Sequence, residues 1–360
     1  MRRPKIVHII GTGTIGEPLI GLLSTQKKNL GIDEVTFHKK SPLLSDRAKI
    51  NSMIEEGAKF VCDKEKKDEF LKLGYHPASF ETLEALEQAS VVIDCTPQGI
   101  GHENKQKYYE KFKHNTLGFI AQGSEFGFGK MYAKGSNDEA LNRSEDQFIQ
   151  VVSCNTHNMG ILIKTLGTDA RGDINNLAEG RFVLMRRAND VSQEKSYIPA
   201  PQAGSHDDPK FGTHHARDAY HLFKTLNVDL NLYSSAIKIN TQYMHSLWFN
   251  LRLKNPVTKD EVIQRFVENP LVSITYKKSA NLIFSFGRDH GYFGRILTQT
   301  VVSIPTIEVT QQGKEIVGFC FTPQDGNSLL STISATLWYL YPDAYEEKLS
   351  VFKKYCFQEI

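Results

Sequence analysis

The 360-residue sequence has no apolar run approaching the ~18 residues needed to cross a bilayer, so a transmembrane helix is excluded. It has no excess of one charge. Lys and Arg number 43 and Asp and Glu 41, and nothing in that balance argues for a nucleic-acid or membrane partner. The five cysteines, Cys62, Cys95, Cys154, Cys320 and Cys356, form no CxxC pair. That argues against a zinc ribbon or a disulfide framework and for a reducing compartment. No metal is expected either, because the histidines and carboxylates between His206 and His221 fit no ligand spacing. There is no repeat, no low-complexity tract and no targeting segment. The apolar stretch at Ile6–Ile10 is about five residues long and too short for a signal-peptide core, which leaves the cytoplasm as the default location. What is present is an ordinary globular mixture, 40% apolar and 23% charged, long enough for about two domains.

The first third alternates strand-like and helix-like segments. Ile6–Ile10, Glu34–His38, Lys59–Cys62, Ser90–Thr96 and Thr116–Ala121 read as strands, and Glu17–Leu23 has apolar residues at helical spacing. Strands separated by helices predict a doubly wound parallel sheet, a Rossmann domain over 1–153. Beyond it the pattern changes. Arg181–Arg187, Ser234–Ile239, His245–Leu253 and Val301–Thr310 alternate as the strands of a mostly antiparallel sheet covered by helices, an α+β domain over 154–325. Residues 190–215, rich in Pro, Gly, Asp and His, read as a functional loop. Ser328–Tyr341 is apolar at helical spacing, and 326–360 is expected to return to the first domain as a helix.

Gly11-Thr12-Gly13-Thr14-Ile15-Gly16 follows the first strand and opens a helix. In that context the glycines permit a tight turn, let a pyrophosphate approach the backbone, and bring helix and strand together. The free N–H groups of the helix then face the phosphates. A site that prefers NAD usually ends its second strand with a carboxylate for the ribose 2′-hydroxyl. Here the strand ends His38-Lys39-Lys40-Ser41, and Lys39 or Lys40 would neutralise a 2′-phosphate, which predicts NADP over NAD.

Val151-Val152-Ser153-Cys154-Asn155-Thr156 places a cysteine directly after an apolar strand, with a helix expected from about Thr156. The field at a helix start favours a thiolate. A cysteine paired with a nicotinamide points to aldehyde oxidation through a thioester. Such chemistry needs a general base, and spacing alone does not choose among the twelve histidines.

Together these residues resemble the archaeal-type (type II) glyceraldehyde-3-phosphate dehydrogenases. The matching segments are GTGTIG at 11–16, IDCTPQGIGHEN at 93–104, Gln122-Gly123, VVSCNT at 151–156, RRANDV at 186–191, THHARD at 213–218, INTQYMH at 239–245 and Pro323-Gln324-Asp325. The resemblance implies Cys154 as nucleophile and His245 as the base that draws its proton and polarises the hemithioacetal. It implies Ser153 and Asn155 beside the sugar phosphate, with Asn155 a candidate oxyanion donor. His214, His215 and Arg187 would bind substrate, and Arg186 would hold phosphate or cofactor charge. Thr14, Ile15, Thr96, Gly123 and Gln324, with the loop glycines, would contact the dinucleotide. The implied reaction is phosphorylating: glyceraldehyde 3-phosphate, inorganic phosphate and NAD(P) give 1,3-bisphosphoglycerate, in either direction, in a homotetramer.

The sequence departs from the family pattern on the substrate side. Val191 replaces a proline, Ala216-Arg217 replaces Gly-Pro, Asn158-Met159 replaces Gly-Leu, and a stretch near 169–180 is inserted. Two other readings stay open at this point. One is a sister semialdehyde or acyl-phosphate reductase; the other is a cofactor-binding sensor without catalysis.

Overall fold

A computed structural model describes residues 3–123, 125–169, 171–190, 197–323 and 325–360. The chain divides into two units. The first comprises Met1–Lys130, Asn142–Val151 and Thr332–Val351; the second comprises Met131–Leu141, Val152–Ser331 and Phe352–Ile360. Among the described residues, no helix is long and apolar enough to cross a membrane.

The first sheet is built from short, largely buried strands, apolar for the most part, as burial on both faces requires. They are β1 (Ile6–Ile10), β2 (Glu34–His38), β3 (Lys59–Val61), β4 (Val91–Asp94), β5 (Gly118–Gln122), β6 (Lys130–Tyr132) and β7 (Phe148–Val151). Their order is β3-β2-β1-β4-β5-β7-β6. The pairs β1–β2, β1–β4, β2–β3, β4–β5 and β5–β7 are all parallel. The order reverses direction between β1 and β4, and a ligand crevice in such sheets lies off the strand ends at that switch point. The glycine turn leads from β1 into the helix Gly16–Leu30, which closes on Gly31 in the left-handed conformation. The end of the helix Gly326–Leu340 belongs to this unit. There Gln122 Nε2 donates to Thr332 Oγ1 at 2.9 Å and Tyr339 OH to Asp146 O at 2.7 Å. Gly118 makes room for that tyrosine, since a Cβ on it would lie 2.1 Å from the ring.

The second sheet contains β8 (Leu177–Arg186), β9 (Gln202–Ala203), β10 (Leu232–Lys238), β11 (Ser246–Leu253), β12 (Val272–Thr275), β13 (Thr300–Ser303), β14 (Glu308–Thr310) and β15 (Glu315–Phe321). The order is β12-β13-β15-β11-β8-β10-β9, with β14 on β15. The sheet is mixed: β8–β10 and β12–β13 are parallel, while the pairs made by β11 and β15 are antiparallel. Alternation along the strands buries Phe182, Leu184, Leu247, Phe249 and Leu251 against Met159, Leu162 and Leu166 of the helix Cys154–Leu166 and Ala216, Ala219 and Phe223 of the helix His214–Lys224.

Two expectations need correcting. Val301–Thr310 is not one strand, because Pro305 has no N–H for a ladder and a 3₁₀ turn at Ile304–Thr306 separates β13 from β14. The helix after β7 starts at Cys154 rather than near Thr156, because Ser153 caps it, its Oγ accepting from Thr156 N at 3.4 Å.

Candidate active site

The glycine loop in the first unit has the shape a pyrophosphate needs. Gly11 adopts φ +97° and donates its N–H to His38 O at 3.1 Å; a Cβ on it would meet Cys95 O at 2.8 Å. Gly16 packs so tightly that a Cβ would fall 2.0 Å from Gly11 O. Gly13 faces open space, with nothing within 4 Å of where a Cβ would stand. A side chain there would fill the approach to the backbone, so the three glycines and the helix start fit a dinucleotide phosphate. Thr14 and Ile15 complete the turn, Ile15 O accepting Leu19 N at 3.2 Å. Two further turns stand at the ends of β4 and β5. Thr96 donates N–H to Asp94 Oδ1 at 2.9 Å, and Gly123, at φ +65°, donates to Val151 O at 2.8 Å.

Of the two lysines after β2, Lys40 is exposed and Lys39 is 8% exposed, its Nζ paired with Asp46. Asp46 also holds Lys49 Nζ at 3.2 Å, and Lys49 in turn donates to Thr12 O at 3.1 Å inside the glycine loop. Burial raises the Asp46 carboxyl, but hydrogen bonds from Lys39 and Lys49 outweigh it and hold the group below its ordinary value. Sequence reading passed over Asp46 and Lys49; their only signal is a spacing of three, Asp46 just before and Lys49 in the first turn of the helix Arg47–Glu55, common to many surface helices.

In the second unit, Cys154 occupies the first turn of its helix. Its sulfur accepts the Asn155 N–H, and its carbonyl accepts Asn327 Nδ2 at 2.9 Å. Burial pushes the thiol up to about 11. The Arg187 guanidinium pulls it down, and Asp325 and Asp190 push it up again. Arg187, 6% exposed, donates to Asp190 Oδ1 at 2.6 Å and lies 3.9 Å from Asp325 Oδ1. Its backbone N–H donates to His245 Nδ1 at 3.0 Å, which leaves the proton of the neutral imidazole on Nε2. Burial, then Arg187 and Arg186, lower His245 to about 3, so the ring is neutral in the free protein.

His214 and His215 open the helix His214–Lys224 with ring centroids 3.9 Å apart. Both are lowered first by burial, His214 then by Arg186 and Arg217, and His215 by His214, Arg186 and His245. Among the described residues, neither ring nitrogen of His215, 3% exposed, has a hydrogen-bond partner. The structure therefore gathers Cys154, Arg186, Arg187, His214, His215 and His245, with Ser153 and Asn155 alongside. Gln324 and Val191 lie outside the described residues. Asp325, Asn327 and Thr322 join the same neighbourhood; Asp325 falls in the segment Pro323-Gln324-Asp325, while Asn327 and Thr322 had no sequence signal beyond their place after β15. Among the described residues no group of three or more His, Cys, Asp or Glu is placed to hold a metal.

Fold and site define a class: a Rossmann-type α/β unit joined to a mixed-sheet unit that carries a cysteine on a helix's first turn beside histidines and arginines. No protein-family model matches the chain. It is 26% identical over 298 residues to the glyceraldehyde-3-phosphate dehydrogenase of Pyrobaculum islandicum, covering 79% of this chain and 78% of that one. It is 29% identical over 284 residues to that of Methanobacterium formicicum, covering 76% and 75%. It is 26% identical over 321 residues to that of Metallosphaera sedula, covering 86% and 85%. The chain is similar over most of its length to archaeal glyceraldehyde-3-phosphate dehydrogenases, as CTPQGIG and SCNT led one to expect.

Proposed function

We propose that the protein is a phosphorylating glyceraldehyde-3-phosphate dehydrogenase that prefers NADP to NAD. The observation that carries this reading is the thiol of Cys154 gathered in one unit with His245, Arg187, Arg186 and the His214–His215 pair. A soft nucleophile stands among groups suited to phosphate and to a developing oxyanion. The glycine loop, Thr96, Gly123 and the helix start at Gly16 would hold the dinucleotide, which supplies a hydride acceptor. Lys39, Lys40 and Lys49 against Asp46 and Glu17 leave an excess of positive charge beside that loop, and this supports the preference for a 2′-phosphate.

Cys154 sulfur adds to the aldehyde carbon of glyceraldehyde 3-phosphate to give a hemithioacetal. Loss of the carbon-bound hydrogen as hydride, for which the dinucleotide would be the acceptor, and of the hydroxyl proton to solvent leaves a thioester on Cys154. An oxygen of inorganic phosphate attacks the thioester carbon, the sulfur leaves, and 1,3-bisphosphoglycerate is released. Of the two jobs expected of His245, its geometry favours polarising the substrate oxygen. With Nδ1 engaged by Arg187, the neutral ring has an Nε2–H to donate, and drawing a proton would require the Arg187 bond to give way. His214 and His215, neutral in the free protein, would meet a phosphate as hydrogen-bond donors beside the fixed charge of Arg186.

A homotetramer is part of the same proposal. Val183, Trp248 and Phe319 stand in register across β8, β11 and β15, on the face turned away from the core, and Met185 pairs with Ile237 on the same face. Phe319 is 40% exposed. Such an apolar sheet face is the kind that a second subunit covers.

The deciding assay follows NADPH and NADH formation from glyceraldehyde 3-phosphate with and without inorganic phosphate. Phosphate-dependent turnover, faster with NADP, is expected. Turnover that ignores phosphate would replace the phosphorylating step with hydrolysis, and preferred turnover of aspartate semialdehyde would move the enzyme to a sister reductase.

A further inference from the structure

Behind the nucleophile, four buried side chains form a directed line of hydrogen bonds. Cys320 on β15 places Sγ 3.3 Å from Asn158 Oδ1 and 3.7 Å from Leu247 O, so the nearer acceptor for its hydrogen is the asparagine. Asn158 Nδ2 donates to Thr322 Oγ1 at 2.9 Å. Thr322 Oγ1 donates to Asn155 Oδ1 at 3.1 Å. Asn158 and Cys320 are fully buried, and Asn155 and Thr322 are each 2% exposed, so no solvent competes with these partners.

A hydroxyl has a single hydrogen. By accepting from Asn158, Thr322 is left to donate to Asn155, and the oxygen end of the Asn155 amide is turned inward. Its nitrogen end remains, and among the described residues no acceptor meets it. Asn155 is also the residue whose main-chain N–H reaches the Cys154 sulfur. The backbone N–H of Thr322 donates to His245 O at 3.0 Å, which ties the relay to the segment that holds the histidine.

We propose that Asn158 and Thr322 are positioning residues that fix the polarity of the Asn155 amide, so that Nδ2 rather than Oδ1 faces the oxyanion formed when Cys154 adds to a carbonyl. The inference rests on the proposed role of Cys154 as nucleophile, and not on which aldehyde it attacks. It also accounts for an asparagine inside a buried helix face, where an unpartnered amide would be costly.

The test compares two reactions of the Cys154 thiol in the full-length protein, neither needing substrate or cofactor. Acylation by p-nitrophenyl acetate passes through an oxyanion; alkylation by iodoacetamide does not. Loss of one oxyanion donor slows such a step by about 100-fold or more, so Thr322→Val and Asn158→Leu are each expected to slow acylation by about 10- to 100-fold while alkylation stays within about twofold. Thr322→Ser, which keeps the hydroxyl, restores acylation to within about threefold of the wild type. The unchanged alkylation rate shows that the variants are folded around the thiol. Acylation that is unaltered in Thr322→Val, or that falls in step with alkylation in both variants, overturns the proposal. A wild-type protein that fails to oxidise glyceraldehyde 3-phosphate, yet shows the expected change in the ratio, overturns the substrate assignment and leaves the relay standing.

Discussion

Replacing Asp46 with asparagine should shift cofactor choice further toward NADP. In the free protein the Asp46 carboxylate is shared by Lys39 and Lys49, the latter bonded to Thr12 O of the glycine loop. A 2′-phosphate taking hydrogen bonds from the same ammonium groups would sit within about 6 Å of that carboxylate. Repulsion between a dianion and a single negative charge at about 6 Å is about 1–3 kcal/mol for an effective dielectric between roughly 40 and 80. Salt at physiological strength trims it further, so the lower half of that range, about a tenfold effect, is the working figure. NAD has no charge at this position, and its catalytic efficiency should change little. The assay is the ratio of kcat/KM for NADP and NAD, measured for wild type, Asp46→Asn and Lys39→Ala; the first variant should raise it about tenfold and the second lower it. Because Lys39 and Lys49 hold Asp46 below the usual carboxyl range, the carboxylate stays ionised across neutral pH, and the effect should not vary between about pH 6 and 8. A ratio unmoved by Asp46→Asn, or a change shared equally by both cofactors, would refute this account of the lysine cluster.

Four further outcomes follow from the geometry. Gly13→Ala should leave the melting temperature unchanged, since nothing lies within 4 Å of the new Cβ, yet weaken dinucleotide binding in calorimetry by about tenfold or more. Gly16→Ala should instead lower the melting temperature, because its Cβ would fall 2.0 Å from Gly11 O and backbone must move, at a cost of about 1–3 kcal/mol. With the Cys154 thiol pushed up to about 11, the alkylation rate of the cofactor-free protein should keep rising with pH, about tenfold per unit through the neutral range; a plateau below about pH 8 would show that burial does not dominate the thiol. Trp248→Glu places a charge on the outer face of the second sheet and should reduce the particle mass seen by light scattering without loss of helix or strand signal; an unchanged mass would remove that face from the proposed tetramer.

Much of the first unit was legible because its strands are short, mostly apolar and punctuated. Ile6–Ile10 stops at Gly11, and Glu34–His38 lies between the Gly31 turn and the lysines, so the residues that must be buried mark their own limits. Cys154 was legible from its place between an apolar strand and a helix, although the cap at Ser153 moved the helix start forward onto it. Val301–Thr310 misled because alternation continues on both sides of Pro305 while the ladder cannot. The partners of the site were invisible for a different reason. Asp46 meets Lys39 across irregular backbone, with no helix or strand period to relate the two, and Thr322 meets Asn155 across 167 positions of chain, beyond any local window. The neutral state of His245 likewise depends on its burial and on the charges of Arg187 and Arg186, which β8 and the segment before β11 bring beside it by lying side by side.

The contact between Gly118 and the Tyr339 ring carries an evolutionary consequence. Any side chain at position 118 would displace the ring and with it the tyrosine's bond to Asp146 O. These positions therefore cannot drift independently. Among diverging homologues, an enlargement at one should appear only with a reduction at the other, and a single exchange made alone should be selected against until its counterpart arrives.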